Sequence, residues 1–286
     1  MLLAGATGVL GRHVLKLLCA RGIRVRAMGR NAAALARLGA HECVVADLLE
    51  AETVRGCAGG VDAVISCAGA PLSLDWRDRA GFYKVDYLGH LPLIEDALRH
   101  RVSKFVYVSL AGAMALRQTE YAQAHERTVT TLAESGLKYT IVRPAGLFHS
   151  FREFLRMARM GQIVLPGNGG ARTNPIDECD AARACVEALW QDETQLIVGG
   201  PEVFTRRRIA EMAFESQGKR PRVIGAPRAL FAPVVAGMRL LNRRLAAIAE
   251  FGIAVSQVDC IAPKYGERRL GEYLRAAARR SGGGEE

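Results

Sequence analysis

The sequence predicts an α/β fold, a doubly wound parallel sheet carrying a small C-terminal lobe, on three observations. Short β-branched or apolar runs alternate with longer segments of helical period. A glycine-rich turn joins the first of these runs to the first helical segment, and 50% of the 286 residues are apolar, enough for a sizeable core. In order, the pattern places strands near 1–4, 23–28, 42–46, 61–66, 104–109 and 138–142, with helices near 9–21, 31–37, 50–57, 79–101 and 119–135 between them. Each connection is long enough for a right-handed crossover.

After Arg143-Pro144 the alternation weakens into a helix near 149–160, a loop from Pro166 to Gly170 and a helix near 177–191. A strand over Gln195–Val198, a helix capped by Thr205 and running to about Gln217, and a long Ala/Leu/Arg helix over 227–251 follow. The reading therefore divides the chain into a cofactor domain over 1–145, a substrate lobe over 146–280 partly interwoven with the sheet, and a frayed tail over 281–286.

Composition removes several classes. The longest apolar stretch near the C-terminus, Ala229 to Met238, is far shorter than the ~20 residues needed to cross a bilayer, so no transmembrane helix is expected. Met1-Leu2-Leu3-Ala4 runs straight into glycines without a secretory signal, and a cytoplasmic location is expected. Seven cysteines without a CxxC pair argue against a disulfide framework and a zinc ribbon; they read as reduced and mostly buried. No His/Asp/Glu cluster has metal-ligand spacing. The net charge of +10 is concentrated late, with 16 basic and 9 acidic residues after residue 200, but basic-aromatic interleaving is missing and no nucleic-acid partner is expected.

The turn Gly5-Ala6-Thr7-Gly8-Val9-Leu10-Gly11 sits between a strand and a helix, the frame a dinucleotide diphosphate requires. Gly5 allows the tight turn, Gly8 a close backbone approach, and Gly11 close helix-strand packing. The helix N-terminus then offers free N–H groups to the anion. At the end of the second strand, where an acid would hold the ribose hydroxyls of NAD, stands Gly29-Arg30-Asn31, so Arg30 is expected to pair with a 2′-phosphate and to favour NADP(H) over NAD(H). Asp47 and Leu48 after the third strand are placed to meet the adenine, although an Asp that only caps the next helix would look the same. Cys67, Ala68 and Gly69 after the fourth strand are placed to line the cofactor with backbone. The implied fold is Rossmann-like.

These residues, with Val106-Tyr-Val-Ser-Leu110 and Tyr139-Thr-Ile-Val-Arg-Pro144, resemble an atypical short-chain dehydrogenase/reductase of the NmrA-like, NAD(P)-binding branch over about residues 1–200. The resemblance implies that Pro144 lies at the cofactor and that a Ser, a Tyr and a Lys do acid-base work. Ser109 and Tyr121 fit in spacing, but the YxxxK position reads Tyr121-Ala-Gln-Ala-His125, an imidazole in place of the Lys. Tyr121 loses the cation that would lower its pKa, yet keeps the proton needed to act as a donor in reduction. His125 is expected to hydrogen-bond the ribose, and Ser109 to orient the reacting groups.

His125-Glu-Arg-Thr128 is also similar to the His-x-x-Thr pattern of NADPH quinone reductases and triphenylmethane dye reductases in the same branch, which do not depend on a Tyr/Lys pair. Alternatively, Tyr121 and His125, at i and i+4, form a satisfied pair near the core.

Leu147, Phe148, Phe151, Phe154, Leu155 and Met157 are candidates for an apolar substrate pocket, or for core at helical spacing. The 227–251 helix has three readings: cover over the substrate mouth, dimer surface, or contact with anionic lipid. The reading is of a monomer or homodimer that reduces a small or medium carbonyl or quinone with NADPH. The alternative is a non-catalytic NADP(H)-binding sensor or assembly protein.

Overall fold

The computed structural model describes residues 1–72 and 80–282. Among the described residues the strands are β1 (Leu2–Ala4), β2 (Arg26–Gly29), β3 (Glu42–Val45), β4 (Ala63–Ser66), β5 (Lys104–Val108), β6 (Tyr139–Pro144), β7 (Ile163–Pro166), β8 (Arg172–Thr173), β9 (Gln195–Val198), β10 (Phe204–Thr205) and β11 (Val223–Ala226). The α-helices are α1 (Val9–Ala20), α2 (Ala32–Ala36), α3 (Ala51–Val54), α4 (His90–Arg99), α5 (Glu120–Glu134), α6 (Arg152–Arg159), α7 (Glu178–Glu187), α8 (Arg206–Glu215), α9 (Ala232–Leu241), α10 (Arg243–Val255) and α11 (Leu270–Gly282).

Seven strands form one sheet in the order β3-β2-β1-β4-β5-β6-β9, and every pairing is parallel. Its two faces follow from period-two alternation along strands that are apolar on both sides. Leu3, Ile65, Val106 and Val142 join the core with Val14 and Leu18 of α1 and Val186 of α7. Their neighbours Leu2, Val64, Phe105 and Ile141 join the opposite core with Leu93 of α4 and Leu132 of α5. The order of winding reverses between β1 and β4, so ligands are expected at the carboxyl ends of these two strands.

Polar side chains start the helices where the chain requires them. Asn31 accepts from the Ala34 N–H, Thr119 from Ala122 and Asp177 from Cys179; Thr205 accepts from Arg208, as its predicted cap role requires.

The expected 79–101 helix is split instead at Gly89 into a π-helical turn, Tyr83–Leu88, and α4; its first residue, Arg79, lies outside the described residues. A Cβ at Gly89 would sit 2.9 Å from the Val85 carbonyl oxygen and 3.0 Å from Leu48, so close packing explains the glycine at this joint. The expected 227–251 helix is broken at Asn242, whose extended backbone ends α9 and whose side chain accepts from the Arg244 and Leu245 N–H groups to start α10. An Asn amid an apolar run was the available signal.

The lobe carries features the periodicity left unassigned. Short strands pair as β8 with β10 and β7 with β11. Helix α11 extends into what was expected to be a frayed end, because Leu270, Leu274 and Ala277, at helical spacing, bury into the lobe core. Residues 283–286 of the expected tail lie outside the described residues. The apolar run at 147–157 is core rather than pocket wall. Phe148, Phe151 and Leu155 are buried against Ile209 and Phe214 of α8 and Leu274 of α11, with Phe154 and Met157 packed beside them, and Leu147 packs on the α1 side of the sheet. All seven cysteines are free, but only Cys57, Cys185 and Cys260 are buried, and Cys43 is exposed.

Candidate active site

The diphosphate cradle is built by leaving side chains out. Gly5 follows β1 with φ +75°, a left-handed conformation that L side chains rarely adopt, and a Cβ there would lie 2.6 Å from the Ala68 backbone nitrogen. A Cβ at Gly11 would lie 2.1 Å from the Gly5 carbonyl oxygen. The β1 turn, the start of α1 and the loop after β4 therefore meet at backbone distance.

Gly8 caps α1 without a side-chain hydrogen bond, and the first turn of α1 holds no acidic residue. Its N–H groups are turned to an exposed edge by Gly8 and Val9, while Leu10 and Gly11 are buried beneath. An uncapped helix start with no Cβ above it fits a dinucleotide diphosphate. Thr7 is half-buried beside it, its carbonyl accepting from Arg12 Nε at 2.9 Å.

Along the same edge, Arg30 follows β2 with its guanidinium 4.0 Å from the Asp47 carboxylate after β3. Asp47 does not cap a helix: its carboxylate accepts from the Leu49 N–H at 3.0 Å and its own N–H donates to Thr53 Oγ1 at 2.9 Å. Leu48 is buried in the core. Pro144 ends β6, its carbonyl accepting from the Ala111 N–H at 3.0 Å.

The acid-base end is built by burial. Tyr121, in the first turns of α5, packs its ring edge-on against Phe82 (5.0 Å), Phe251 of α10 (4.6 Å) and His125 (4.7 Å). Its hydroxyl makes no hydrogen bond to any described residue, and burial and the nearby Asp86 push its pKa well above the ordinary tyrosine value. The phenol stays protonated.

His125 points into the interior. It is 4% exposed; its Nδ1 shares a 2.7 Å hydrogen bond with the Tyr107 hydroxyl, and its Nε2 lies 3.9 Å from Asp86 Oδ1. The expectation that it reaches the ribose is therefore corrected: the ring is sealed behind Tyr121, and the imidazole lies among buried side chains rather than at the open edge.

Asp86 lies under the loop after β4, where a Cβ on Gly69 would meet its Oδ1 at 2.8 Å and where the Ala70 N–H donates to that oxygen at 2.9 Å. Thr128 Oγ1 donates to the Asp86 carbonyl at 2.5 Å, and Ser66 Oγ pairs with His90 Nε2 at 2.9 Å.

Burial decides the charge of this cluster. It raises the Asp86 carboxyl to about 8, lowers His90 to about 4, and lowers His125 to about 3, the last with help from His90 and Arg143. Near neutrality the cluster is mostly uncharged, so no fixed cation stands where a short-chain reductase lysine would. Two of its atoms, Asp86 Oδ2 and His125 Nε2, are buried without a partner.

Ser109 is held elsewhere. Arg143 Nη1 donates to its Oγ at 3.3 Å while forming a bidentate pair with Glu126 at 2.5 and 3.1 Å. Among the described residues no hydrogen bond joins Ser109 to Tyr121 or His125.

A family model described as NAD(P)H-binding matches residues 5–192, from the glycine cradle to the end of the sixth crossover, just before β9. The chain belongs to this NAD(P)H-binding family.

Among relatives of this NAD(P)H-binding protein, the photosystem II assembly factor Ycf39 of Trieres chinensis is 28% identical over 79% of this chain and 72% of its own length. The Ycf39 of Cyanophora paradoxa is 32% identical over 58% of this chain and 49% of its own length. The chloroplastic divinyl chlorophyllide a 8-vinyl-reductase of Zea mays is 27% identical over 88% of this chain and 68% of its own length.

The NADPH-dependent quinone oxidoreductase QOR2 of Escherichia coli, solved with NADPH, superposes with a TM-score of 0.72 at 18% identity, covering 96% of this chain and 98% of that one. The triphenylmethane reductase of Citrobacter sp., solved with NADP(H), gives 0.71 at 19%, covering 96% and 99%. These two likenesses show the shared fold.

In this NAD(P)H-binding protein the glycine turn and the loop at 67–69 meet after β1 and β4, and Arg30 and Asp47 approach each other after the neighbouring β2 and β3. Tyr121 and His125 meet as a pair, and Ser109 stands apart with Arg143. The cluster of Asp86, His90, Tyr107 and Ser66 was missed. Its signals were polar residues in apolar surroundings: a Tyr inside the buried run Lys104–Val108, and Ser66 ending a strand buried along its whole length. The aromatic rings that pack on Tyr121 are Phe82 and Phe251 of α10, from outside the apolar run 147–157. Among the described residues no His, Cys, Asp and Glu cluster could hold a metal ion.

Proposed function

We propose that this protein is an NADPH-dependent reductase acting on a small or medium carbonyl or quinone. The observation that carries the reading is the Tyr121 hydroxyl, which stays protonated near neutrality and which no described residue engages. Such a phenol still carries the proton a reduction must deliver and is unsuited to abstracting one, so it supports reduction over oxidation or epimerisation. When bound, the nicotinamide supplies the hydride.

The chain's own residues divide the remaining work. Gly5, Gly8 and Gly11, with the backbone of Thr7, Val9 and Leu10, seat the diphosphate. Cys67, Ala68 and Gly69 line the cofactor, Pro144 borders it, and Asp47 with Leu48 meets the adenine. Arg30, exposed and without an acid at its own strand end, selects the 2′-phosphate and hence NADP(H) over NAD(H). Tyr121 protonates the reduced oxygen, His125 acts through its ring contact as a positioning residue for Tyr121, and Ser109 orients the substrate from the Arg143 side.

The sealed His125 also favours a second reading, a non-catalytic NADP(H)-binding sensor or assembly protein, since it supplies no cation to the site. The Ycf39 assembly factors among its relatives point the same way. The deciding experiment is calorimetric titration with NADPH and NADH, followed by NADPH oxidation against quinones, aldehydes and ketones. Turnover of any panel member supports the reductase; tight binding without turnover supports the sensor.

A further inference from the structure

Helix α9 contradicts the rule that an apolar helix is buried. Its ten residues, APVVAGMRLL, include one charge, yet of them Val235 alone is buried. Leu230, Val234, Met238 and Leu241, at i, i+4, i+8 and i+11, form an exposed stripe, and Leu240 beside it is 90% and Leu241 82% exposed. The stripe is about 15 Å long. Phe231 and Val235 turn toward the body, and α10 returns beneath.

Charge frames the stripe. From Ser216 to Ala249 the sequence holds seven cations, Lys219, Arg220, Arg222, Arg228, Arg239, Arg243 and Arg244, and no carboxylate. Arg228 and Arg243 stand exposed at the two ends of the helix, and neither has an ion-pair partner among the described residues. Arg239 pairs with Glu250, and the buried Arg244 donates to the Pro71 carbonyl.

We propose that α9 is a docking ridge for an anionic membrane surface, its apolar stripe set into the headgroup boundary and Arg228 and Arg243 meeting acidic lipid. Helix α9 packs on α10 and on the turn before it and leaves its outer face to solvent, and the segment's cations have no carboxylate among them, so an anionic headgroup layer matches both the apolar face and the charge. A two-fold contact with a second copy would bring Arg228 and Arg243 of both copies into one interface, with no acid in the segment to offset them. No described helix is long and apolar enough to span a membrane, so this attachment is peripheral.

The test is flotation of the full chain with vesicles of phosphatidylcholine alone or mixed with phosphatidylglycerol, at low and high salt, alongside its mass in solution without lipid. The chain is expected to float with the mixed vesicles only, and less so at high salt. Arg228→Gln with Arg243→Gln should lower the partition coefficient about thirtyfold, and Leu240→Ser with Leu241→Ser at least about tenfold. Both pairs are on the surface and distant in sequence from the cradle, so NADPH titration and circular dichroism report that each variant is folded.

No flotation at low salt overturns the proposal. So does equal flotation with both vesicle types, or a lipid-free dimer that Leu240→Ser with Leu241→Ser dissolves, which would make the ridge an interface between copies. Retention by an acidic protein in place of vesicles would equally overturn it.

Discussion

Gly5 and His125 show two ways of making a site. At the cradle the chain removes side chains until backbone meets backbone, and the result is an exposed rim with free N–H groups. Around His125 it does the reverse, packing Tyr107, Asp86, His90 and Tyr121 so closely that two polar atoms have no partner and three titratable groups are pushed toward their neutral forms. An anion site needs donors and room, which glycine supplies. Burial supplies the opposite, groups held in their neutral, proton-bearing or proton-free forms near neutrality.

The comparison breaks most visibly at the cradle. Gly11→Ala places a methyl group against the Gly5 carbonyl and is expected to cost about 3 kcal/mol of stability and to abolish measurable NADPH binding. Calorimetry and a thermal melt check this; unaltered binding would mean that the loop does not hold the diphosphate.

Tyr121→Phe acts at the other end. It should leave the NADPH dissociation constant unchanged while lowering kcat for a carbonyl substrate by about a hundredfold. Steady-state kinetics separate the two effects.

Arg30→Ala should weaken NADPH binding by about thirtyfold and NADH binding hardly at all, the difference of one charge-assisted contact of about 2 kcal/mol. Equal losses in paired titrations would remove Arg30 as the selector of the 2′-phosphate.

The smallest effect sharpens the sealed end. Burial raises the Asp86 carboxyl from 3.8 to about 8, so the folded chain holds a proton that the unfolded chain loses, and this contribution to stability is lost as pH rises toward 8. His90 and His125, lowered from 6.5 to about 4 and about 3, contribute in the opposite sense, and their stability is lost as pH falls below 6.5. Together they predict a maximum near pH 6.5, with a decline toward pH 8 of about 1.4 kcal/mol per pH unit. Denaturant melts across this range should show the decline in the wild type and its absence in Asp86→Asn.

What the sequence disclosed follows the same division. The cradle was legible because its determinants are local: glycine spacing, a strand before it and a helix after it, and Arg30 at the next strand end. The Gln195–Val198 strand and the Thr205 cap were legible for the same reason. The surroundings of His125 were not, because Asp86, Tyr107 and Ser66 come from three separate elements and meet only through the register of β4 and β5 and a π-helical turn. Helix α11 and the break at Asn242 carried local signals, a Leu270-Leu274-Ala277 stripe and an Asn in an apolar run, that longer patterns on either side obscured.

The central claim is that a protonated Tyr121 completes a reduction begun on a cofactor held by the cradle. The most direct measurement is stopped-flow oxidation of protein-bound NADPH in a single turnover with an aldehyde and with a quinone, comparing wild type with Tyr121→Phe. The account predicts a rate about a hundredfold lower for the variant with the aldehyde, at unchanged NADPH affinity. Identical rates in the two proteins would contradict it.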